Sequence, residues 1–276
     1  MIQDIYPSKL NNQFTDLTAE GADITFVFNE KGELMARSDT DGGLILPDNM
    51  LTRPERSIYL FSIDAVRYFL AMTGCDDATL ASAGYEPYPV RKLRDRFSGK
   101  ELYASFTAYH LWKWYHDNRF CGVCGAPLET DHAERALRCN KCGNIVYPRI
   151  NPAVIVGVTD NDRIIITQYK SGYAHNALIA GFCEIGETLE ETVAREVMEE
   201  AGVRVKNIRY YKSQPWGMAQ DILMGFYCDV DGSTAIRMDE GELRSAVWTE
   251  REDIVLQPGD LSLTNEMMRM FKENRI

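Results

Sequence analysis

The chain has no uninterrupted run of roughly 18 apolar residues, the length at which a membrane-spanning helix becomes a candidate. Its opening, Met1-Ile2-Gln3-Asp4-Ile5-Tyr6-Pro7, lacks a basic stretch leading into an apolar one. The expectation is a protein that stays in the cytoplasm, with no membrane partner. Positive charge is scarce: 30 lysines and arginines face 41 aspartates and glutamates, a formal net charge of −11. That balance argues against broad electrostatic adhesion to nucleic acid or anionic membrane, while leaving room for a local basic pocket. No internal repeat and no low-complexity segment is found. What is present is apolar material, 45% of 276 residues, enough to bury a substantial core in one large domain or two to three smaller ones.

Up to about residue 118 the chain carries strand-like runs such as Asp23-Ile24-Thr25-Phe26-Val27-Phe28, closed by the turn material Asn29-Glu30-Lys31-Gly32. Helical patterning is read around Asp64 to Met72 and from Glu101 to Asp117. No catalytic motif stands out there, so scaffold or dimerisation surface is the expectation. A short cysteine-bearing segment runs from Phe120 to Pro148. Beyond Pro152 the pattern becomes α/β. Ala153 to Val158, the turn Asp160-Asn161-Asp162 and Arg163 to Thr167 read as a hairpin. Glu190 to Ala201 has helical spacing, and strand-like runs recur at Val203 to Tyr211, Ile222 to Val230 and Ala246 to Thr249.

On the helix from Glu190 to Ala201, Val193, Ala194, Val197, Met198 and Ala201 share one arc, and Glu196, Glu199 and Glu200 cluster on another. Like charges at this spacing weaken a helix unless something neutralises them. A divalent cation would do so, and hard oxygen ligands suit Mg²⁺ or Mn²⁺. Metal-assisted attack of water on a phosphoanhydride is the chemistry implied. Arg195, beside Glu199 on the wheel, can orient a carboxylate through a charge-assisted hydrogen bond. A glutamate-rich helix is more often a solvated surface, but here every fixed position of G-x5-E-x7-R-E-U-x-E-E-x-G-U is filled from Gly181 to Val203. The segment therefore resembles the Nudix hydrolases.

That resemblance implies a loop-helix-loop within an α/β/α sandwich built on a mixed sheet. Glu196, Glu199 and Glu200 would be metal ligands, Glu200 also a candidate base, and Glu187 would shape or support the site. A further acidic ligand would come from a downstream loop. Glu242, in Gly241-Glu242-Leu243, fits that place best, the alternative being plain surface charge.

Of seven cysteines, four form two Cys-x-x-Cys pairs, Cys121/Cys124 and Cys139/Cys142, separated by 14 residues. In a cytoplasmic protein such pairs read first as metal ligands, and this segment resembles a zinc ribbon. Four thiolates close a tetrahedral site, so the zinc would be structural. His132 lies between the knuckles as a competing ligand. Cys75, Cys183 and Cys228 read as small packing residues.

A zinc ribbon ahead of a Nudix domain resembles the zinc-ribbon NADH pyrophosphatase (NAD-capped RNA hydrolase) family. Further support comes from Trp114 and Phe120 before the first knuckle, Tyr147-Pro148-Arg149-Ile150-Asn151-Pro152 after the second, and Ser213-Gln214-Pro215-Trp216. The resemblance implies an N-terminal α+β (Nudix-like) domain over 1–118, a zinc ribbon over 119–150 and a catalytic Nudix domain over 151–276. It implies cleavage of NADH or NAD to NMN(H) and AMP, and a homodimer in which the partner can supply Trp216. Phe182 and Trp216 would be stacking platforms, Gln214 a substrate contact, and Tyr147 and Ser262 borders of the nucleotide pocket. Ordinary packing or turn roles stay open for Tyr147, Ser262 and Trp216. After Trp216, Gly217-Met218-Ala219 stands where the family keeps Pro-Phe-Pro, so a freer loop with less stacking surface is expected. ADP-ribose, a dinucleoside polyphosphate or NAD-capped RNA are the alternative substrates. A binding module that has lost catalysis is the alternative from another class, against which the intact carboxylates speak.

Overall fold

The computed structural model describes residues 1–172 and 175–276. The chain divides into two units: one holds Ile2–Arg149 and Trp216–Gln220, the other Met1, Ile150–Pro215 and Asp221–Ile276. Among the described residues no helix is long and apolar enough to cross a membrane.

In the first unit, β1 (Ile24–Phe26), β2 (Glu33–Ser38), β3 (Arg56–Ile63), β4 (Val66–Thr73) and β5 (Glu86–Pro89) make two small sheets, one pairing β3 with β4 and β4 with β1, the other pairing β2 with β5. The segment read as helical from Asp64 to Met72 is thus a strand. Tyr68, Phe69 and Leu70 are all buried, so no period-two alternation marks the run, and a short apolar run of this kind is ambiguous between strand and buried helix. The deciding feature is local: Asp64, at a φ of 53°, turns β3 back onto β4. Helix α1 (Lys100–Asp117) forms where expected and buries Leu102, Phe106, Leu111 and Trp114. Three two-residue strands, β6 (Glu129–Thr130), β7 (Leu137–Arg138) and β8 (Ile145–Val146), form a separate small sheet in this unit.

The second unit is a six-stranded mixed sheet: β9 (Asn151–Asp160), β10 (Arg163–Tyr169), β11 (Ile179–Phe182), β12 (Val205–Trp216), β13 (Asp221–Val230) and β14 (Leu243–Glu250), in the order β12-β13-β9-β10-β14 with β11 also on β9. β9 runs parallel to β13. The hairpin of β9 and β10 turns at Asn161, with a φ of 55°, but pairs only at Thr159–Ile164 and Asp160–Arg163. Farther along β9, β11 takes the neighbouring place, with Ala153 opposite Phe182 and Val156 opposite Ile179.

Each face of β9 is covered by one helix. Val154, Val156 and Val158 pack with Val193, Val197 and Ala201 of α2 (Leu189–Ala201). Ile155 packs with Leu263, Met267, Met268 and Phe271 of α3 (Leu263–Lys272). Burial of both faces explains why this strand reads as one apolar run. The result is the expected α/β/α sandwich. Within α2 the buried stripe is rotated from the one the wheel implied: Ala194 and Met198 are exposed, and Thr192 and Glu200 are buried in their stead.

Candidate active site

The site is set by how α2 starts and what it lies against. Thr188 Oγ1 accepts from Glu191 N at 3.2 Å, and the Glu191 carboxylate accepts from Thr188 N at 2.8 Å, a reciprocal cap that satisfies two otherwise unpaired amides. With Val193, Val197 and Ala201 turned into the core, Glu196 and Glu200 fall on the border of the stripe towards β11, and Glu199 points outward with its side chain 57% exposed. Gly181 of β11 makes that approach feasible. A Cβ there would stand 2.0 Å from the Glu196 carboxyl, so any other residue would displace that carboxyl from its present place.

Arg195 gathers the surrounding carboxylates. Its guanidinium donates to Glu187 (2.6 and 3.0 Å), Glu196 (2.8 Å), Glu199 (2.9 Å) and the Phe182 carbonyl (2.9 Å). In this structure the arginine thus neutralises part of the charge crowding on α2. Hydrogen bonding from Arg195 foremost, with help from Glu184 N–H and the Thr192 hydroxyl, holds the Glu187 carboxyl down at about 2. Burial pushes the Glu196 carboxyl above its ordinary value, against the pull of Arg195.

Glu200 is the most perturbed group. Burial first, then the Glu242 charge, push its carboxyl up to about 8, although Ala180 N–H donates to Oε1 at 3.4 Å. Its Oε2 is buried with no hydrogen-bond partner. Glu242 is an exposed residue on a loop tied to the helix end by Arg237 N to Ala201 O (2.8 Å) and Asp239 N to Glu200 O (3.0 Å). Sequence reasoning missed Asp239, whose charge also acts on Glu200, and Tyr169, whose phenol is pushed up by burial and by Glu200, Glu242 and Glu196. Tyr169 stands at a β-bulge on β10 and carries no motif; Thr192, which donates to Glu187, would have been signalled only by its position in the first turn.

These donors are all carboxylate oxygens, and one of them is buried and orphaned, so the residues fit a hard divalent cation. They are spread more widely than the cysteines: among the described residues, Cys121, Cys124, Cys139 and Cys142 are the set whose ligand atoms all lie within 4.8 Å of one another. The sulfurs of Cys121 and Cys142 are 3.6 Å apart and those of Cys124 and Cys139 3.5 Å. Four sulfurs at about 2.3 Å from one tetrahedral ion would be about 3.8 Å apart, so the cysteines fit zinc. Backbone amides lower the Cys121 and Cys139 thiols, while hydrogen bonding among the sulfurs raises those of Cys124 and Cys142, so two of the four favour the thiolate a metal needs even without the ion. His132 does not compete; it pairs with Asp16 at 2.7 Å. Cys228 is buried in the core, while Cys75 and Cys183 are half-buried.

The other expected substrate residues divide. Phe182 and Tyr147 are 51% and 55% exposed, and the Tyr147 hydroxyl donates to Glu134 at 2.9 Å. Gln214 is fully buried, donating to Leu261 O and accepting from Leu263 N, both at 2.8 Å, and so braces the start of α3. Ser262 caps α3, its hydroxyl accepting from Asn265 N at 3.1 Å and donating to Gln257 Oε1 at 2.7 Å. Nor is the loop after Trp216 free. Trp216 packs on Phe106 with ring centroids 5.4 Å apart, and Gly217 lies against the backbone of α1.

Residues 149–270 match the family model for the NUDIX domain, and residues 116–147 that for the NADH pyrophosphatase zinc ribbon domain. The chain carries a Nudix domain behind a zinc ribbon of this type. Curated relatives similar to it include NAD-capped RNA hydrolase NudC of Klebsiella pneumoniae subsp. pneumoniae, 41% identical over 152 residues, which are 54% of this chain and 58% of that protein. The protein of the same name from Salmonella paratyphi C is 39% identical over 170 residues, 61% of this chain and 65% of that protein. The chain therefore spans less than two thirds of the length of these relatives. A solved NUDIX hydrolase from Nitrosomonas europaea shares the Nudix fold, with a TM-score of 0.50 at 22% identity over 57% of this chain and 92% of that one.

Proposed function

We propose that this protein hydrolyses the diphosphate linkage of a dinucleotide, converting NADH or NAD to NMN(H) and AMP, with Mg²⁺ or Mn²⁺ at its Nudix helix. The observation that carries this reading is the complete Nudix box folded so that Glu196 and Glu200 border β11, with one buried Glu200 oxygen left without a partner. Glu196, Glu199, Glu200 and Glu242 would hold the cation, which when bound neutralises the diphosphate and activates water. Arg195 and Glu187 keep the carboxylates oriented, and Glu200 is the candidate base. Its carboxyl, raised to about 8, is partly protonated near neutrality and becomes a competent proton acceptor as a positive charge draws it down. Phe182, Trp216 and Tyr147 offer rings to the bases.

The names of the curated relatives support NAD-capped RNA as a second substrate. The altered Gly217-Met218-Ala219 segment supports ADP-ribose as the smaller competitor. Structural Zn²⁺ at the four cysteines, a reducing cytoplasmic location, a homodimer and a division at about 118 and 150 belong to the same reading; the four unbridged thiols gathered for one metal support the first two. The test is to incubate purified protein and Mg²⁺ or Mn²⁺ with NADH, ADP-ribose, a dinucleoside polyphosphate and NAD-capped RNA, and identify the products. AMP with NMNH from NADH is expected. Tight binding without turnover of any of the four would overturn the hydrolase reading in favour of a binding module.

A further inference from the structure

Trp216, the last residue of β12, and residues 217–220, which lead into β13, pack as part of the N-terminal unit. Four contacts hold them there. The Trp216 ring sits 5.4 Å from the Phe106 ring at an interplanar angle of 59°, and the Arg94 guanidinium lies 5.7 Å from the Trp216 centroid, within cation–π range. Gly217 follows in close approach to α1: a Cβ on it would stand 2.0 Å from the Phe106 carbonyl oxygen and 3.3 Å from His110 Cβ. Gln220, buried and in the left-handed region at a φ of 57°, accepts a hydrogen bond from Arg149, whose own carbonyl oxygen is 2.7 Å from His110 Nε2. A proline ring at 217 would collide with the helix backbone, so the absence of the prolines and the presence of this docking are one design. Rigidity that a proline-rich loop takes from its own φ angles comes here from packing on α1.

We infer that Phe106 and Arg94 are positioning residues for Trp216, so that the selectivity of the substrate loop is set from the N-terminal unit. Phe106 is buried and serves as the floor under the indole; Arg94 fixes its tilt. The inference rests on Trp216 contacting substrate, as proposed above, and gives a task to the segment ahead of the zinc ribbon, which carries no catalytic motif. Loosening this packing acts on binding of the base and leaves the carboxylates of α2 untouched.

The full chain, labelled with 5-fluorotryptophan, has four indoles, Trp112, Trp114, Trp216 and Trp248, and the Trp216 ¹⁹F line is assigned by its loss in Trp216→Phe. Phe106→Ala should shift or broaden the Trp216 line and leave that of Trp248 in place. It should raise KM for NADH about fivefold or more, with kcat and the Mg²⁺ half-saturation unchanged, and Phe106→Tyr should restore both readouts. In a Trp216→Ala background, Phe106→Ala should add no further rise in KM, since both changes remove one interaction. An unmoved Trp216 line, or KM effects that multiply in the double variant, would overturn the inference. Should Phe106→Ala fail to fold, Arg94→Gln decides by the same line and the same KM shift. The ¹⁹F readout needs no turnover, so a protein that hydrolyses no dinucleotide would sink the proposed function while the anchoring of Trp216 is still judged.

Discussion

Replacing Glu200 by glutamine should move stability and activity in opposite directions. The Glu200 carboxyl is raised from 4.5 to about 8 because burial and the Glu242 charge oppose its ionisation. In the unfolded chain the same group ionises at its ordinary value. It therefore costs the fold nothing below about pH 4.5, costs progressively more as pH rises towards 8, and costs a constant amount beyond. At about 1.36 kcal/mol per pH unit the gap bounds that cost at about 5 kcal/mol; water entry and local relaxation bring it to about 2–3 kcal/mol. Glutamine is neutral and nearly isosteric, so it removes the cost. Urea unfolding of zinc-replete protein without added Mg²⁺ or Mn²⁺ should show wild type losing stability between pH 6 and pH 9, with Glu200→Gln flatter and the more stable of the two at pH 9. Mg²⁺ should raise the wild-type midpoint and leave the variant almost unmoved. Turnover should fall at least about a hundredfold. Parallel pH profiles for the two proteins would refute the reasoning about burial and charge at this carboxylate.

Three other perturbations read separate parts of the site. Glu242→Gln should raise the metal concentration needed for half-maximal activity with little change in stability; an unchanged titration returns Glu242 to the role of surface charge. Cys139→Ser should release the zinc, about one per chain by metal analysis, and lower the unfolding midpoint, because a four-thiolate site contributes directly to folding. Zinc retained in the variant would count against the ribbon. Gly181→Ala places a methyl where the Glu196 carboxyl stands and should cut kcat tenfold or more, even if the rest of the strand tolerates it. Activity within a factor of two of wild type would show that Glu196 can move aside without consequence.

The carboxylate helix was legible because its chemistry demands one contiguous segment. The cap at Thr188, the three glutamates and the closing Gly202 are all local, and the fold adds only what they face. Features requiring distant partners were not legible. Glu200 looks like its neighbours in sequence, and only the packing of α2 on the sheet makes it the buried one while Met198 turns outward. Nothing in Arg163 to Thr167 reveals that β11 inserts beside β9, leaving the β9–β10 hairpin paired near its turn. Tyr68 to Leu70 looked helical because covering both faces erases the alternation of a strand. The backbone partners of Gln214 were equally hidden, since its amide is matched to the start of α3, 47 residues away. The reverse holds at Gly217, which reads in sequence as freedom and in three dimensions as close packing.

The most direct measurement of the central claim is ³¹P NMR of NADH incubated with the protein and Mg²⁺. The diphosphate resonances should give way to two phosphomonoester resonances, those of NMNH and AMP, at a rate that depends on the metal and is lost in Glu200→Gln. Diphosphate signals that persist unchanged with folded, metal-supplied protein, or that disappear equally fast in the variant, would contradict it.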